Sequence, residues 1–543
     1  MKRIALTIIA LLPLVFGGCA SKAVKRQMRE VKVEPLGLRA EPLKLLPEEG
    51  KLDPRAYYYF INAVLYEQMG NPYLAAMNYN KAWKHYPESY EIGFSLALNL
   101  YRLQRYEEAL EALNRIGRKD AAVHDLRGAI FRATGADDSA RAAYLEVIRT
   151  DSMNSNAFAL LAGAYRRLDD LDSTIWAYRN MVRIRPDHYQ LWTELARLQA
   201  QTGDYEGARS SFQNSIEQEP GAANLQSYLG LAHSLELLQQ VDSAICVLNA
   251  AVELDDSNVL IHRALRSLYI SRDSLQAALP HAKREVELTP LDREVVRRLG
   301  MLYYWIDSLK QADSILSYLV ENGDRHPTNY SYLGRIALRG EDPERARDHF
   351  ISLTQVADSV SESWLDLGFV YRQLNLPDKE IETYRAGLSH MRDDAGRLHL
   401  LFALGAAYER HGHIDSAVTT FEEVIARDPD YHQALNYLGY MLADRGERLE
   451  YARDLIQRAI ELSPGNAAYL DSYGWVSYRL GDYRQALKHL EKAVSLDSDP
   501  VIFDHLGDTY NALGKKQQAR TWWEKALGLD PDNRQIKDKL GLQ

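Results

Sequence analysis

Cysteine is scarce in this sequence: among 543 residues there are only Cys19 and Cys246, too few for a disulfide framework. Cys246 lies in the apolar stretch Ala244 to Leu248, where a small buried hydrophobe is expected in preference to a reactive thiol. Basic excess is lacking too. The formal net charge is −10 and no basic stripe interleaves with aromatics, which argues against nucleic acid as a partner. Catalytic signatures are missing as well. Gly514-Lys515-Lys516 lacks the earlier glycine and the following hydroxyl residue of a phosphate loop. Asp530-Pro531-Asp532-Asn533 starts like a calcium loop, but Arg534 and Gln535 stand where an acceptor and glycine are needed. His411 and His413 flank a short turn beside Asp415, read as a solvated turn in preference to a metal site. No nucleophile and base are arranged together, and nothing outside a repeated pattern is large enough for a catalytic domain. The expectation is a non-enzyme with no cofactor and no metal.

What is present begins with Lys2, Arg3 and the apolar run Ile4 to Phe16, too short to span a bilayer. Residues 1–18 read as an export signal. The run ends in Phe16-Gly17-Gly18-Cys19, which resembles the lipobox of bacterial lipoproteins, with phenylalanine where that family usually has leucine. The resemblance implies a lipidated Cys19 as the first mature residue. Ala20, with no aspartate after the cysteine, resembles outer-membrane sorting in Gram-negative bacteria. Two or more acyl chains would anchor the protein stably, whereas one gives marginal binding. Residues 19–52 then read as a tether, with Pro35, Pro42 and Pro47 and no sustained helical period. Fully extended, the 33 residues after Cys19 would reach about 110 Å at about 3.3 Å per residue.

From Asp53 onward two amphipathic helices and a polar turn recur. Small residues mark the first helix of each copy at Ala63, Ala97, Gly128, Ala162, Ala196 and Gly230, then Gly300, Gly334, Gly368, Gly405, Gly439, Gly474 and Gly507, with Arg266 as the exception. Eight of the thirteen intervals are 34 residues. A second series, including Ala75, Ala109, Ala140, Ala208, Ala312, Ala417, Ala452, Ala486 and Ala519, places a small residue in each partner helix. Tyrosines such as Tyr66, Tyr165, Tyr303 and Tyr408 three residues after the first mark, and Pro87, Pro186, Pro429 and Pro464 near the ends, complete a pattern that resembles the tetratricopeptide repeat. The resemblance implies an all-α, right-handed superhelical solenoid of about 14 hairpins over residues 53–533, closed by a capping helix at 534–543. One hairpin cannot bury its apolar faces alone, so neighbours must stack. Asp172-Ser173, Asp242-Ser243 and Asp415-Ser416 are expected to cap second helices. Gly439 and Gly474 are expected to be structural, at close helix crossings.

Four irregularities interrupt the array: a short second repeat near Arg118, extra residues at Leu237 to Val241, Arg266 itself, and extra residues between Ser389 and Arg397. Either the register slips at Arg266 or that junction is looser, and local bending or a change of superhelical pitch is expected over residues 237–270.

In this register the partner-facing positions of the last three copies are Asn436 and Tyr440, then Asp471, Trp475 and Tyr478, then Asp504, Asp508 and Asn511. Earlier copies offer Arg297, Arg298, Met301 and Tyr304, then Arg335 and Arg372. For single charged residues a solvated face is the simpler reading. Trp475 is expected to be an exposed aromatic that contacts a partner, and the acidic run suits a basic or backbone-rich segment. The carboxylate clamp of chaperone-binding members is not matched. A lipid anchor joined to a long array resembles envelope lipoproteins of the adaptor type. The resemblance implies a non-enzymatic scaffold at the outer membrane, facing the periplasm, that binds protein or peptide partners and presents substrates to a periplasmic protease or an assembly machinery. The alternative is an accessory lipoprotein of a secretion, pilus or polysaccharide-export complex.

Overall fold

The computed structural model describes residues 53–542. The expected signal, the lipidated Cys19 and the tether lie outside the described residues. Among those described there are 29 α-helices, one three-residue 3-10 turn at Ala222–Asn224, and no strand. The α-helices make fourteen hairpins followed by a single end helix, Arg534–Leu540. The chain divides into two compact units, one ending at Leu268 and the other beginning at Tyr269.

Each hairpin closes on the same turn. A left-handed residue follows the small mark by seven positions at Gly70, Gln104, Gly135, Asp169, Gly203, Asp273, Asp307, Glu341, Asn375, Gly412, Gly446, Gly481 and Gly514, and by nine at Gln239. The next backbone N–H reaches back five residues to a carbonyl: Asn71 to Tyr66 at 2.9 Å, Ser308 to Tyr303 at 2.8 Å, Lys515 to Tyr510 at 2.9 Å. This satisfies carbonyls left open at a helix C-terminus. Because Asp273 keeps the seven-residue offset, the register does not slip at Arg266, which sits half-buried inside the helix Val259–Ser271.

The irregularities have local explanations. The two extra residues before Val241 shift the second helix of that copy, whose buried positions are Ala244, Leu248 and Ala251. Cys246 therefore falls on the opposite side and is exposed, which corrects the expectation of a buried one. The short second repeat loses its residues from the helix Tyr106–Arg115, ten residues long where most second helices have fourteen. Lys119 Nζ donates to the carbonyls of Leu113 and Asn114 at 2.6 and 3.0 Å at its end. The extra residues near 389–397 lengthen a first helix to seventeen residues, Asp394–Arg410.

The Asp-Ser pairs do not supply the capping oxygens. Asp170 accepts from Ser173 N at 3.0 Å, while His413 and Gln240 hold the cap positions of the other two helices with no side-chain bond. Asp172, Asp242 and Asp415 instead occupy first turns, where their charge suits the helix dipole.

The marked glycines leave holes that a large side chain of the partner helix fills, usually sixteen residues later. A Cβ built at Gly128 would lie 2.4 Å from the Tyr144 ring, at Gly368 2.2 Å from Tyr384, and at Gly507 2.5 Å from Trp523. At Gly474 it would lie 2.5 Å from Leu490 Cγ, and Leu490 is fully buried. Gly474→Ala should therefore cost about 1–3 kcal/mol through overpacking, read as a lower urea midpoint with an unchanged slope.

Candidate functional site

The first helices of the last three hairpins, His432–Arg445, Ala467–Arg479 and Pro500–Ala512, pack side by side. Their shared register brings most of the sequence-selected residues into one cluster, but few of them face solvent. The Trp475 ring stacks on His505 at 4.1 Å and 14°, and on Tyr478 at 5.0 Å and 6°. Tyr440 lies 6.3 Å from His505, and the Arg479 guanidinium sits 5.7 Å over Trp475 while donating to the Asp444 carbonyl. Trp475 is only 9% exposed and Asp471 5%, which corrects the expectation of an exposed tryptophan and an open carboxylate. In a stack of flat rings the apolar area is buried against the chain's own aromatics. The Trp475 Nε1 and Asn436 Oδ1 atoms are buried with no hydrogen-bond partner.

His505 is the residue that sequence reasoning missed. It stands two before the Gly507 mark, where the preceding copies carry Ser472 and Tyr437, so its type is not set by the repeat. Its Nδ1–H donates to Asp471 Oδ1 at 2.9 Å and Oδ2 at 3.2 Å. Burial alone would depress the imidazole pKa, but the Asp471 carboxylate overcomes it and holds the value above the ordinary one. No hydroxyl nucleophile is directed at this pair by the adjoining helices: Ser472, Ser477 and Thr509 each donate to a carbonyl four residues back.

The raised pKa fixes the sign of a pH effect. The contribution of the pair is complete below the ordinary value of 6.5 and is lost as pH rises through the folded value. Thermal melts of the wild type and His505→Asn should therefore differ most near pH 6 and converge on going to alkaline pH.

Asp504 and Asp508, expected to attract a basic segment, already hold one from this chain. Lys539 of the end helix donates to Asp504 Oδ1 and Oδ2 at 2.8 and 2.9 Å and to Asp508 Oδ2 at 2.8 Å. Trp523 Nε1 donates to Asp508 Oδ1 at 3.1 Å. Burial pushes the Asp508 carboxyl above its usual range, against the pull of Lys539. Asn511 is exposed, and Asn436, Tyr440 and Tyr478 are half-buried. In the earlier copies Arg297 is buried against Asp324, and Arg335 approaches Asp366 at 3.8 Å. His411, weighed as a metal ligand, pairs through Nε2 with the fully buried Glu380 at 3.0 Å, which also accepts from Arg410 at 2.6 Å. Among the described residues no three His, Cys, Asp or Glu side chains converge as a metal site would need.

Hairpins at a 34-residue spacing, each closed by one turn type and packed small against large, define an α-helical repeat protein. Tetratricopeptide-repeat models match residues 62–123, 161–228, 402–467, 467–500 and 502–533, and the chain is a tetratricopeptide-repeat protein. A TPR repeat-containing protein of Pseudomonas aeruginosa is 37% identical over 131 residues, 24% of this chain and 22% of that relative. BBSome complex member BBS4 of Bos taurus is 22% identical over 340 residues, 61% of this chain and 63% of the relative. The chain thus spans less than two thirds of either one. A solved structure of yeast Tom70 is similar at 16% identity and a TM-score of 0.34, over 78% of this chain and 93% of that one. Stacked repeats of this kind present extended surfaces to other proteins.

Proposed function

We propose that this chain is a membrane-tethered scaffold of the bacterial envelope that binds protein or peptide partners along its tetratricopeptide surface and holds them near a protease or an assembly complex. The observation that carries the reading is that hairpins and their end helix occupy the described residues from Pro54 to Leu540, so function there belongs to a surface. The pairing of Asp504 and Asp508 with Lys539 supports a structural role for these two carboxylates. Phe16-Gly17-Gly18-Cys19 supports the tether, and a tether raises the effective concentration of whatever the surface holds.

Metabolic labelling with a palmitate analogue, followed by cell fractionation, tests this. The wild type should carry label and sediment with outer membranes, and Cys19→Ser should lose both properties. A photo-cross-linker at the exposed Asn511 should recover the same protein partners reproducibly, fewer of them from Cys19→Ser cells. An unlabelled wild type that fractionates like Cys19→Ser would overturn the tether. Partners confined to a polymer-export or pilus complex would replace the protease adaptor with a secretion accessory.

A further inference from the structure

Where the last three hairpins close on their own side chains, three earlier first helices, Arg293–Trp305, Pro327–Arg339 and Ser361–Gln373, carry groups that stay in water. Contacts between copies show that these groups lie together. The Tyr304 ring meets Tyr332 of the next copy edge-on at 4.9 Å, and the Arg339 guanidinium stands over Tyr304 at 5.4 Å. Arg335, three residues after Tyr332 and four before Arg339, approaches Asp366 of the following copy at 3.8 Å. Phe369 comes three residues after Asp366 and three before Arg372, and the Arg372 guanidinium stands 5.0 Å over its ring. Spacings of three and four keep each set on one side of its helix.

This face differs from the equivalent one in other copies. One residue after the small mark, Leu231 and Trp475 are buried and Leu98, Met301 and Tyr440 half-buried, whereas Phe369 is 37% exposed. Arg335 holds the same place in the preceding copy with 51% of its side chain exposed. Charge is uneven as well. The helix Arg293–Trp305 has three arginines against Glu294 alone, and Pro327–Arg339 has two against no acid, in a chain whose formal net charge is −10. Arg297 is buried against Asp324, and Arg339 pairs with Asp307 at the turn. Arg372, by contrast, has no carboxylate partner among the described residues. Arg335 has only the long approach to Asp366, whose carboxyl burial pushes above its ordinary range. Two guanidiniums beside a wetted ring thus lack a full counter-charge.

We propose that this face docks an extended acidic segment of a partner protein, with its carboxylates on Arg335 and Arg372 and an adjoining apolar side chain on Phe369. A guanidinium fork matches a carboxylate through two parallel bonds. Aromatic rings and arginines are also the residue types that carry most of an interface's binding energy. Docking there rests on the scaffold reading and names the partner's chemistry. It moves the contact away from the C-terminal acids, where Asp504 and Asp508 are already matched by Lys539, and reverses the sign of the charge that the partner must bring.

Panning a phage-displayed library of random dodecapeptides on the full-length chain tests this. The peptides recovered should be rich in Asp and Glu around an aromatic or aliphatic residue. The affinity of a fluorescein-labelled copy, read by anisotropy, should fall about tenfold or more in Arg335→Ala with Arg372→Ala and in Phe369→Ser, and should weaken with added salt. Arg335→Glu with Arg372→Glu should select basic peptides instead, a switch that a misfolded array would not give. Recovery of no peptide above background, of peptides without acids, or of acidic peptides that the substitutions leave bound overturns the proposal. Flotation with phosphatidylglycerol vesicles that the double substitution abolishes would give the face to a lipid surface, and self-association lost in the same way would give it to a second copy. Either result overturns it too. Partner proteins cross-linked from Asn511 alongside a failed selection would leave the scaffold standing without this docking face, whereas no partner at all would remove the scaffold itself.

Discussion

Phe421→Ala is expected to lower the stability of the unit beginning at Tyr269 by about 3–5 kcal/mol, the usual range for truncating a buried ring. Phe421 is fully buried. Its ring fills the hole over Gly405, where an added Cβ would come within 2.9 Å of it, and it packs on Phe402 at 5.7 Å and Tyr437 at 5.0 Å. Gly405 has no side chain with which to refill the space, and Phe402 and Tyr437 lose a packing partner. Chemical denaturation followed by near-ultraviolet circular dichroism would check the size of the loss, and a change below about 1 kcal/mol would contradict this packing.

Arg297→Ala should cost a similar amount, about 3–5 kcal/mol, because it removes one partner of a buried pair and leaves the other charged. Arg297 is 5% exposed and donates from Nη2 to Asp324 Oδ2 at 2.6 Å and from Nε to Asn329 Oδ1 at 3.1 Å, with Glu294 as a further acceptor. Burial alone would raise the Asp324 carboxyl, but Arg297, Asn329 and the His326 N–H together hold it below its ordinary value of 3.8. The stabilisation is therefore present above that pH and is lost as pH falls through the depressed value. The gap between wild type and Arg297→Ala, measured by urea titration, should be wide at pH 7 and narrow on acidification below about pH 4. Arg297→Met would separate charge from volume.

The two residues mark where sequence reading succeeded and where it stopped. Gly405 and Phe421 follow a spacing that recurs along the chain, and steric fit ties a small residue to a large one, so the hairpins were legible. Arg297 lies at a groove position by the same register, yet it is buried, because Asp324 and Asn329 come from the next copy and nothing in a period of 34 says which acid will meet which base. The same holds for Asp504 and Asp508, whose shared Lys539 sits in the end helix. His505 changed the reading of Trp475 from exposed to buried, and it is a residue type that no other copy repeats at its position. Periodicity encodes the shared frame; contacts made by residues peculiar to one copy have to be seen.

The turn that closes each hairpin has a consequence for how strain is distributed. A left-handed conformation costs a residue with a side chain on the order of 1–2 kcal/mol and costs glycine almost nothing. Gln239, Asp273, Asp307, Glu341 and Asn375 occupy that conformation in five successive hairpins, whereas the last four use Gly412, Gly446, Gly481 and Gly514. The hairpins that carry Trp475 and His505 thus close on glycine, at Gly481 and Gly514, as do those at Gly70, Gly135 and Gly203, although in the Gly446 hairpin Arg448 is left-handed as well. Turn conformation alone therefore predicts unequal opening along the array, with Gln239 and Glu341, whose side chains adopt it less readily than Asp or Asn, at the costlier turns.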